Sequence, residues 1–523
     1  MKKRLQEINW VTTLPVILIL IALIVLNAIN PGLFGSLTET GAITLAEGFG
    51  WVFNLVTLVQ VIVIVILLFH PIGNVKIGGP DAKPQFGIVS WIGMAVCSSI
   101  GIGIIFWGVA EPMYHYATPC AEWGIEAFSD EGIANALAQS FVHYGFQQYA
   151  YYAIFGILIA LAAYNFKQPM AISSAFYFLK RKPLSRGWSN IVNVICIAGC
   201  ISGIIYSLGI GVMQVGSGLH ETTGISITNT LWTIITFTVV LLFTFSSKAG
   251  MEKGMKVASD WNIRIYIVLL AFVLVVGPTM FITDMGSESI GVYLEQFVSK
   301  TMFTGGADSD EWAVSWTLFM WASTVVYGPL IGMFMAKIDK GRTVREVIIG
   351  QFIVPTIITQ IWFMVFGGTG IYMQRSGEYD LWSGIQEDGL ESAIFKFFEN
   401  LPGGQVVIWL FLVCIIISFV TLADAACGNV SLMCMKDQSA LAEKEAPTFM
   451  KITWGVLMGL VALAFINFGG IFTVRRVPIL ASLPVYIITA VAIYSFVKLF
   501  FTRDNRILTN EGVYKVSADD SDN

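Results

Sequence analysis

Residues 86–108 read FGIVSWIGMAVCSSIGIGIIFWG, a stretch without a single charged side chain. A bilayer core of about 30 Å takes roughly 20 consecutive apolar residues in helical form. Within lipid the backbone must pair with itself, so a helix is the expected conformer. The middle of the stretch departs from that simple picture. Ser98 and Ser99 are followed by Gly101 and Gly103, and glycine inside a helix is unfavourable by about 1 kcal/mol relative to alanine. One reading is a helix that unwinds there, freeing backbone carbonyls for an ion or a solute. The other is close helix packing through small residues.

Working outward, similar apolar stretches recur at 11–30, 49–69, 134–164, 189–219, 229–246, 262–283, 312–336, 347–373, 405–433, 450–472 and 477–501. Apolar residues make up 56% of the 523-residue chain and charged residues 12%, where a soluble protein carries about 25% charged. The expectation is an all-α polytopic membrane protein of about twelve transmembrane helices. Met1-Lys2-Lys3-Arg4 leads straight into a full-length span, so no cleavable signal is expected. Basic residues test the topology through the positive-inside rule. With the N-terminus inside, the outside loops hold only Lys300, Arg375, Lys396, Arg475 and Arg476, and Arg264 falls within a span. Every other one of the 30 Lys and Arg lies inside. Both termini are therefore expected in the cytoplasm, in a multi-pass protein of the cell inner membrane. Arg475 and Arg476 are an awkward pair in a predicted outside turn.

The chain reads as a single membrane domain, 1–503, with a short acidic cytoplasmic tail at 504–523. The spans at 11–69 look like an appendage, and the remainder divides into two sets of five, 86–283 and 312–501. Inverted five-helix repeats are a standard transporter architecture, with binding at the midplane where helices break. Segments 289–303 and 389–400 look like short amphipathic helices on the outer face. A net charge of −5, most of it in loops, names no partner, and no nucleic acid is expected. Seven cysteines form no disulfide framework and read as packing residues.

The fourth span is dense in tyrosine: Tyr144, Tyr149, Tyr151 and Tyr152, beside His143, Gln147 and Gln148. Aromatic faces attract ammonium groups, although tyrosine is also enriched at membrane interfaces. Asp424 lies inside a span, where a charge is a functional candidate by default; it is read as a cation site, a proton relay, or the partner of Arg264. No nucleophilic triad, zinc-spaced cluster or phosphate loop appears. Four histidines scattered over the chain argue against a metalloenzyme, so no enzymatic activity is expected.

Several motifs together resemble the betaine/carnitine/choline transporter family. They are Gly101-Ile102-Gly103 through Trp107-Gly108 to Glu111-Pro112, Ser315-Trp316-Thr317-Leu318-Phe319, and Gly332 to Ile338 followed by Gly341 to Glu346. Ser207 to Gly211, Leu401-Pro402-Gly403-Gly404 and Thr421 to Asp424 add to them. The similarity runs from about residue 50 to 500 in the same order. It implies two N-terminal helices plus a LeuT-like five-plus-five inverted repeat, a homotrimer, and membrane lipid around it. It also implies a small zwitterionic or cationic solute held between the third, fourth, eighth and tenth spans.

Carried over position by position, the resemblance puts the substrate cage on Tyr144, Tyr149, Tyr152, Trp321, Ser323, Thr324 and Tyr327, with Phe319 lining it. Ser99, Ile100, Gly101 and Gly103 would hold the polar end of the solute. Members that bind trimethylammonium solutes have tryptophans where this chain has Ser323 and Thr324. A non-methylated amino or sulfonate zwitterion is therefore one expectation, beside betaine-, carnitine- or choline-like solutes. The ion-coupling positions fall on Ser98, Ile100, Cys200, Asn262, Ser418, Thr421 and Asp424. Leu422 lacks the second hydroxyl of sodium-coupled relatives, as it does in sodium-independent exchangers. Asn262 instead matches the sodium-coupled ones. The expected function is cation-coupled import by alternating access, with Na+ or H+ as coupling ion and no other cofactor or metal. Sodium-independent antiport is the alternative, and an ion channel is a more distant one.

Overall fold

The computed structural model describes residues 7–99, 102–248, 252–306, 311–436 and 447–500. These residues are helical throughout their long segments; two isolated antiparallel bridges, Ile8 to Met435 and Lys76 to Thr343, are the extended pairings among them. The chain is an all-α multi-pass membrane protein. By length and composition eight helices qualify as spans, and three bent pairs raise the number to eleven. The remaining expected segment, at 229, holds a shorter apolar helix, Asn229–Leu242. The acidic tail at 504–523 lies outside the described residues.

The first two helices are α1 (Trp10–Ile29) and α2 (Pro31–Phe69). A start at 49 was expected for the second, yet α2 begins at Pro31 and runs 39 residues. Asn30 explains the difference: its side chain accepts from Leu33 N at 3.0 Å, and Pro31 fits the first helical position, where no N–H is needed. The weakly hydrophobic 31–48 segment then buries Phe34, Thr38, Ala42 and Ala46 along one face.

The third span falls into two helices on either side of residues 100 and 101, in line with the unwinding reading of the Ser/Gly run. α3 (Ile88–Ser99) and α4 (Ile102–Ala117) meet at 61°; Ile100 and Gly101 lie outside the described residues. α4 runs past the expected end of the span at 108, through Glu111 and Pro112, to Ala117. Gly367 makes room for the proline, since a Cβ there would sit 2.5 Å from Pro112 Cγ.

The fourth span is interrupted as well, into α5 (Asp130–Tyr144) and α6 (Phe146–Ala160). A side chain at Gly145 would meet Phe141 O at 2.3 Å and Tyr293 Oη at 2.7 Å, and that hydroxyl accepts from Phe146 N at 3.3 Å. α7 (Arg186–Thr223), α8 (Asn229–Lys248) and α9 (Glu252–Val276) follow. At Gly277-Pro278 the chain turns by 106° into α10 (Thr279–Glu295). The crossing helix expected from 289 therefore starts ten residues earlier, because Pro278 donates no N–H and disfavours helical geometry in the residue before it. α11 (Phe297–Thr301) completes this lateral segment.

The second half opens with a π turn at Val314–Leu318, then α12 (Phe319–Val325) and α13 (Gly328–Ile338), bent by 45°. α14 (Val354–Ser376), α15 (Leu381–Asp388), α16 (Ala393–Glu399), α17 (Gly404–Met433), α18 (Thr448–Val474) and α19 (Arg476–Phe500) complete the chain. α13 lies along α6, where a Cβ on Gly332 would sit 2.8 Å from the Gly156 nitrogen. Such small-residue contacts let membrane helices approach closely.

The motif Gly341 to Glu346 locks one end of the bundle. Arg342 lies 4.9 Å over Trp91 and donates to Phe86 O, while Arg345 donates to Leu68 O and Asn74 Oδ1. Thr343 and Glu346 form a capping box. Asp339, fully buried at this end, accepts from Trp91 Nε1 and Gln351 Nε2, and burial pushes its carboxyl up to about 8.

Candidate functional site

The broken helices place an aromatic column inside the bundle. Tyr149 and Tyr152, one turn apart on α6, have ring centroids 6.2 Å apart, and the Tyr149 hydroxyl lies 2.5 Å from Thr359 Oγ1. Tyr327, at the α12–α13 bend, faces α7: its hydroxyl is 2.8 Å from Ser207 Oγ, and a Cβ on Gly203 would meet its ring at 2.8 Å. The helices on both sides of Tyr327, α12 and α13, pack on α6, the helix of Tyr149 and Tyr152. Tyr206 continues the column, accepting from Trp107 Nε1 at 2.8 Å and packing 5.2 Å from Phe319. Tyr144 stacks on Phe363 at 4.7 Å, and its buried hydroxyl lies beside the Glu111 carboxylate.

Other expected cage positions are buried with their polarity directed differently. Ser323 and Thr324 both donate to Met320 O, at 2.9 and 2.8 Å, which leaves oxygen lone pairs, not protons, for a solute. Trp321 is fully buried, edge-on to His143 at 5.8 Å, with its N–H unpartnered. Ser98 and Ser99 donate back to Ala95 O, and the Ser99 carbonyl accepts from Gln148 at 3.4 Å. That bond ties the broken third span to the tyrosine helix. Gly103 has open space beside it: a Cβ added there would lie 4.0 Å from its nearest neighbour, Trp107 Cδ1.

The positions expected to couple an ion do not form one cluster. Asn262 on α9 donates to Ser418 on α17 at 2.5 Å, and Tyr266 lies 3.1 Å from the same hydroxyl. Thr421, one turn on, donates to Ile417 O. Cys200 is buried on α7. Asp424 is paired with Lys451 at 3.6 Å, while Arg264, its expected partner, lies 5.1 Å from the Trp261 ring.

A second polar centre was not anticipated. Glu111 and His115 on α4 and His143 on α5 are buried together, with ligand-type atoms all within 4.8 Å. His143 Nδ1 is 2.5 Å and His115 Nε2 3.4 Å from Glu111 Oε1. Lys300 sets the orientation of the next link: it donates to Asn135 Oδ1 at 2.7 Å and Gln139 Oε1 at 3.2 Å. Gln139 thus turns its amide nitrogen to His143 Nε2 at 2.9 Å, making Nδ1 the protonated nitrogen that donates to Glu111. Lys300 also sits 3.5 Å over Trp123, and burial pushes its ammonium down to about 7. Two of the four histidines that seemed scattered, His115 and His143, meet because α4 and α5 pack side by side. The group has the donor types for a cation such as zinc, but Glu111 Oε1 is already engaged and Lys300 is close by.

Arg475 is the other residue that sequence reading missed. Placed in an outside turn by the sequence, it is 2% exposed. Gly470, at φ +60°, breaks α18 before its last turn and directs Arg475 inward. Its guanidinium lies 4.1 Å from Trp316, 4.5 Å from Phe319 and 5.2 Å from Trp107. Arg476 stays at the rim, paired with Glu39 at 2.5 Å. The departure from the positive-inside pattern at this pair was the available signal.

Comparison with known proteins agrees with this architecture. The family described as BCCT, betaine/carnitine/choline family transporter, matches residues 10–505. The glycine betaine transporter OpuD of Bacillus subtilis (strain 168) is 30% identical over 95% of this chain and 94% of its own length. The ectoine/hydroxyectoine transporter of Virgibacillus pantothenticus is 28% identical over 91% and 93%. Glycine betaine transporter 1 of Vibrio parahaemolyticus is 31% identical over 81% and 79%. The bent spans, the aromatic column and a match over nearly the whole length lead to one conclusion: this chain is a member of the betaine/carnitine/choline family of transporters.

Proposed function

We propose that the chain is a secondary transporter that imports a small zwitterionic or quaternary-ammonium solute by alternating access, coupled to a cation. The observation that carries this reading is the column from Tyr149 and Tyr152 through Tyr327 and Tyr206 to Phe319, flanked by two interrupted spans. Rings supply faces for an ammonium group, and broken helices supply unpaired backbone for its polar end. Relatives described as glycine betaine and ectoine transporters support the solute class. The five-plus-five inverted repeat, the homotrimer, the inner-membrane location and the cytoplasmic termini are parts of the same proposal.

A second reading, sodium-independent exchange, has one specific support. Asn262 already donates its amide to Ser418, and the sequence has a leucine at 422, without a hydroxyl. Uptake by purified protein in proteoliposomes tests both. Radiolabelled glycine betaine, carnitine, choline, taurine and glycine would be supplied with and without an inward sodium gradient. Accumulation driven by the gradient supports symport; uptake only against preloaded solute supports exchange. Flux that does not saturate with concentration would overturn both in favour of a channel.

A further inference from the structure

Arg475 is a buried cation whose Nε, Nη1 and Nη2 all lack a hydrogen-bond partner. Aromatic rings stabilise its charge but accept none of its N–H groups here. Unmade hydrogen bonds at a buried charge are costly, so the donors are suited to an incoming acceptor. A pocket lined by Glu311, Ser315, Phe319, Phe472, Arg475 and Arg476 reaches this guanidinium from the far end of the bundle. Charge alone selects an anion, and the planar fork of N–H groups favours a carboxylate or sulfonate.

The opposite charge lies close by. Trp316, 4.1 Å from the Arg475 guanidinium, is also 4.6 Å from the His115 ring, and His115 leads to Glu111. Glu111 Oε2 and His115 Nδ1 are buried without geometric hydrogen-bond partners, and the Tyr144 hydroxyl is turned to the same carboxylate. One pole therefore lacks acceptors, the other lacks donors, and both adjoin the same indole.

We propose that Arg475 and Glu111 are the two poles of a binding site for a zwitterion. The carboxylate or sulfonate sits on the Arg475 N–H edge, and an ammonium that still carries protons donates to Glu111 Oε2 with Tyr144 beside it. The short carbon chain lies along Trp316. This site is distinct from the tyrosine column and goes beyond the transport reading, on which it rests for the solute class: a compact, net-neutral solute with an N–H-bearing ammonium. A lone divalent cation at Glu111, His115 and His143 would leave Arg475 unpartnered and add positive charge beside it. A zwitterion neutralises both poles.

The test uses full-length protein in proteoliposomes, with taurine, β-alanine, glycine betaine and choline as probes. Uptake KM and the quench of intrinsic tryptophan fluorescence are measured for wild type, Arg475→Gln, Arg475→Lys and Glu111→Gln. Arg475→Gln is expected to raise the ratio of zwitterion KM to choline KM by about tenfold or more, the scale of a charged hydrogen bond. Arg475→Lys keeps the charge, loses the fork, and is expected to show a smaller rise; it decides the matter if Arg475→Gln does not fold. Glu111→Gln is expected to weaken taurine and β-alanine more than glycine betaine, which has no N–H. A parallel loss for choline and the zwitterions, or unchanged zwitterion KM, would overturn the two-pole site. Wild type that binds taurine by fluorescence but does not accumulate it would sink the transport reading, and the binding constants of the variants would still judge the site.

Discussion

At the scale of single residues, Lys300 shows how charge is handled at the far end of the bundle. It is 2% exposed, and burial lowers its ammonium from the ordinary value of 10.5 to about 7. A base with a lowered folded pKa binds fewer protons folded than unfolded between about 7 and 10.5. Its destabilising contribution is complete below 7 and is relieved as pH rises through that window. The expected outcome is that wild type gains stability relative to Lys300→Met from pH 7 to 9, as read by paired thermal unfolding in detergent. The slope of the difference is the readout, because the constant cost of leaving Asn135 and Gln139 without a donor cancels from it. A difference flat in pH would mean that Lys300 is not the titrating group. Lys300 stood in the sequence as one outside lysine among few. Its contacts with residues 161 and 165 positions away are long-range facts that no local pattern carries.

At the scale of elements, the interrupted spans were legible to different degrees. The Ser98 to Gly103 run marks a candidate break, which composition alone leaves open against close helix packing. The break at Gly145 has no such mark, because its cause is the Tyr293 hydroxyl arriving from α10. Likewise, the inward turn of Arg475 depends on Gly470, whose positive φ cannot be told from a packing glycine by spacing. The two kinds of glycine make opposite predictions. Gly332→Leu brings its Cβ to 2.4 Å from the Phe155 Cβ and 2.8 Å from backbone. Backbone cannot rotate aside, so a loss of about 3 kcal/mol or more and failure to fold are expected, visible as aggregation on size-exclusion chromatography. Gly103→Ala meets open space and stiffens the half-helix by about 1 kcal/mol. It is expected to fold normally, keep the KM for its solute within about twofold, and lower the maximal uptake rate several-fold, since its burden falls on the conformational step. Equal loss in KM and rate would place Gly103 at the solute instead.

At the scale of the whole molecule, the helix positions were readable because a bilayer imposes length and apolarity on each span separately. Within the centre they enclose, composition and family likeness both pointed to the tyrosines of the fourth span, whereas nothing in the sequence brought Glu111, His115, His143 and Arg475 together. Composition sees a buried ion pair network as loop charge until packing brings its members together. The same gap surrounds coupling, which is a relation between helices. α9 and α17 are joined through Asn262, Tyr266 and Ser418, and any ion bound there must compete with the Asn262 amide for the Ser418 oxygen. If sodium binds at this junction, Ser418→Ala removes one oxygen ligand and is expected to raise the sodium concentration for half-maximal uptake by about tenfold, with solute KM at saturating sodium little changed. Asn262→Ala in the same assay frees the oxygen and removes the amide's own carbonyl, so it separates competition from ligation by the direction of the shift. Under sodium-independent exchange neither variant responds to sodium, and solute-for-solute counterflow proceeds at equal rates with sodium absent on both sides.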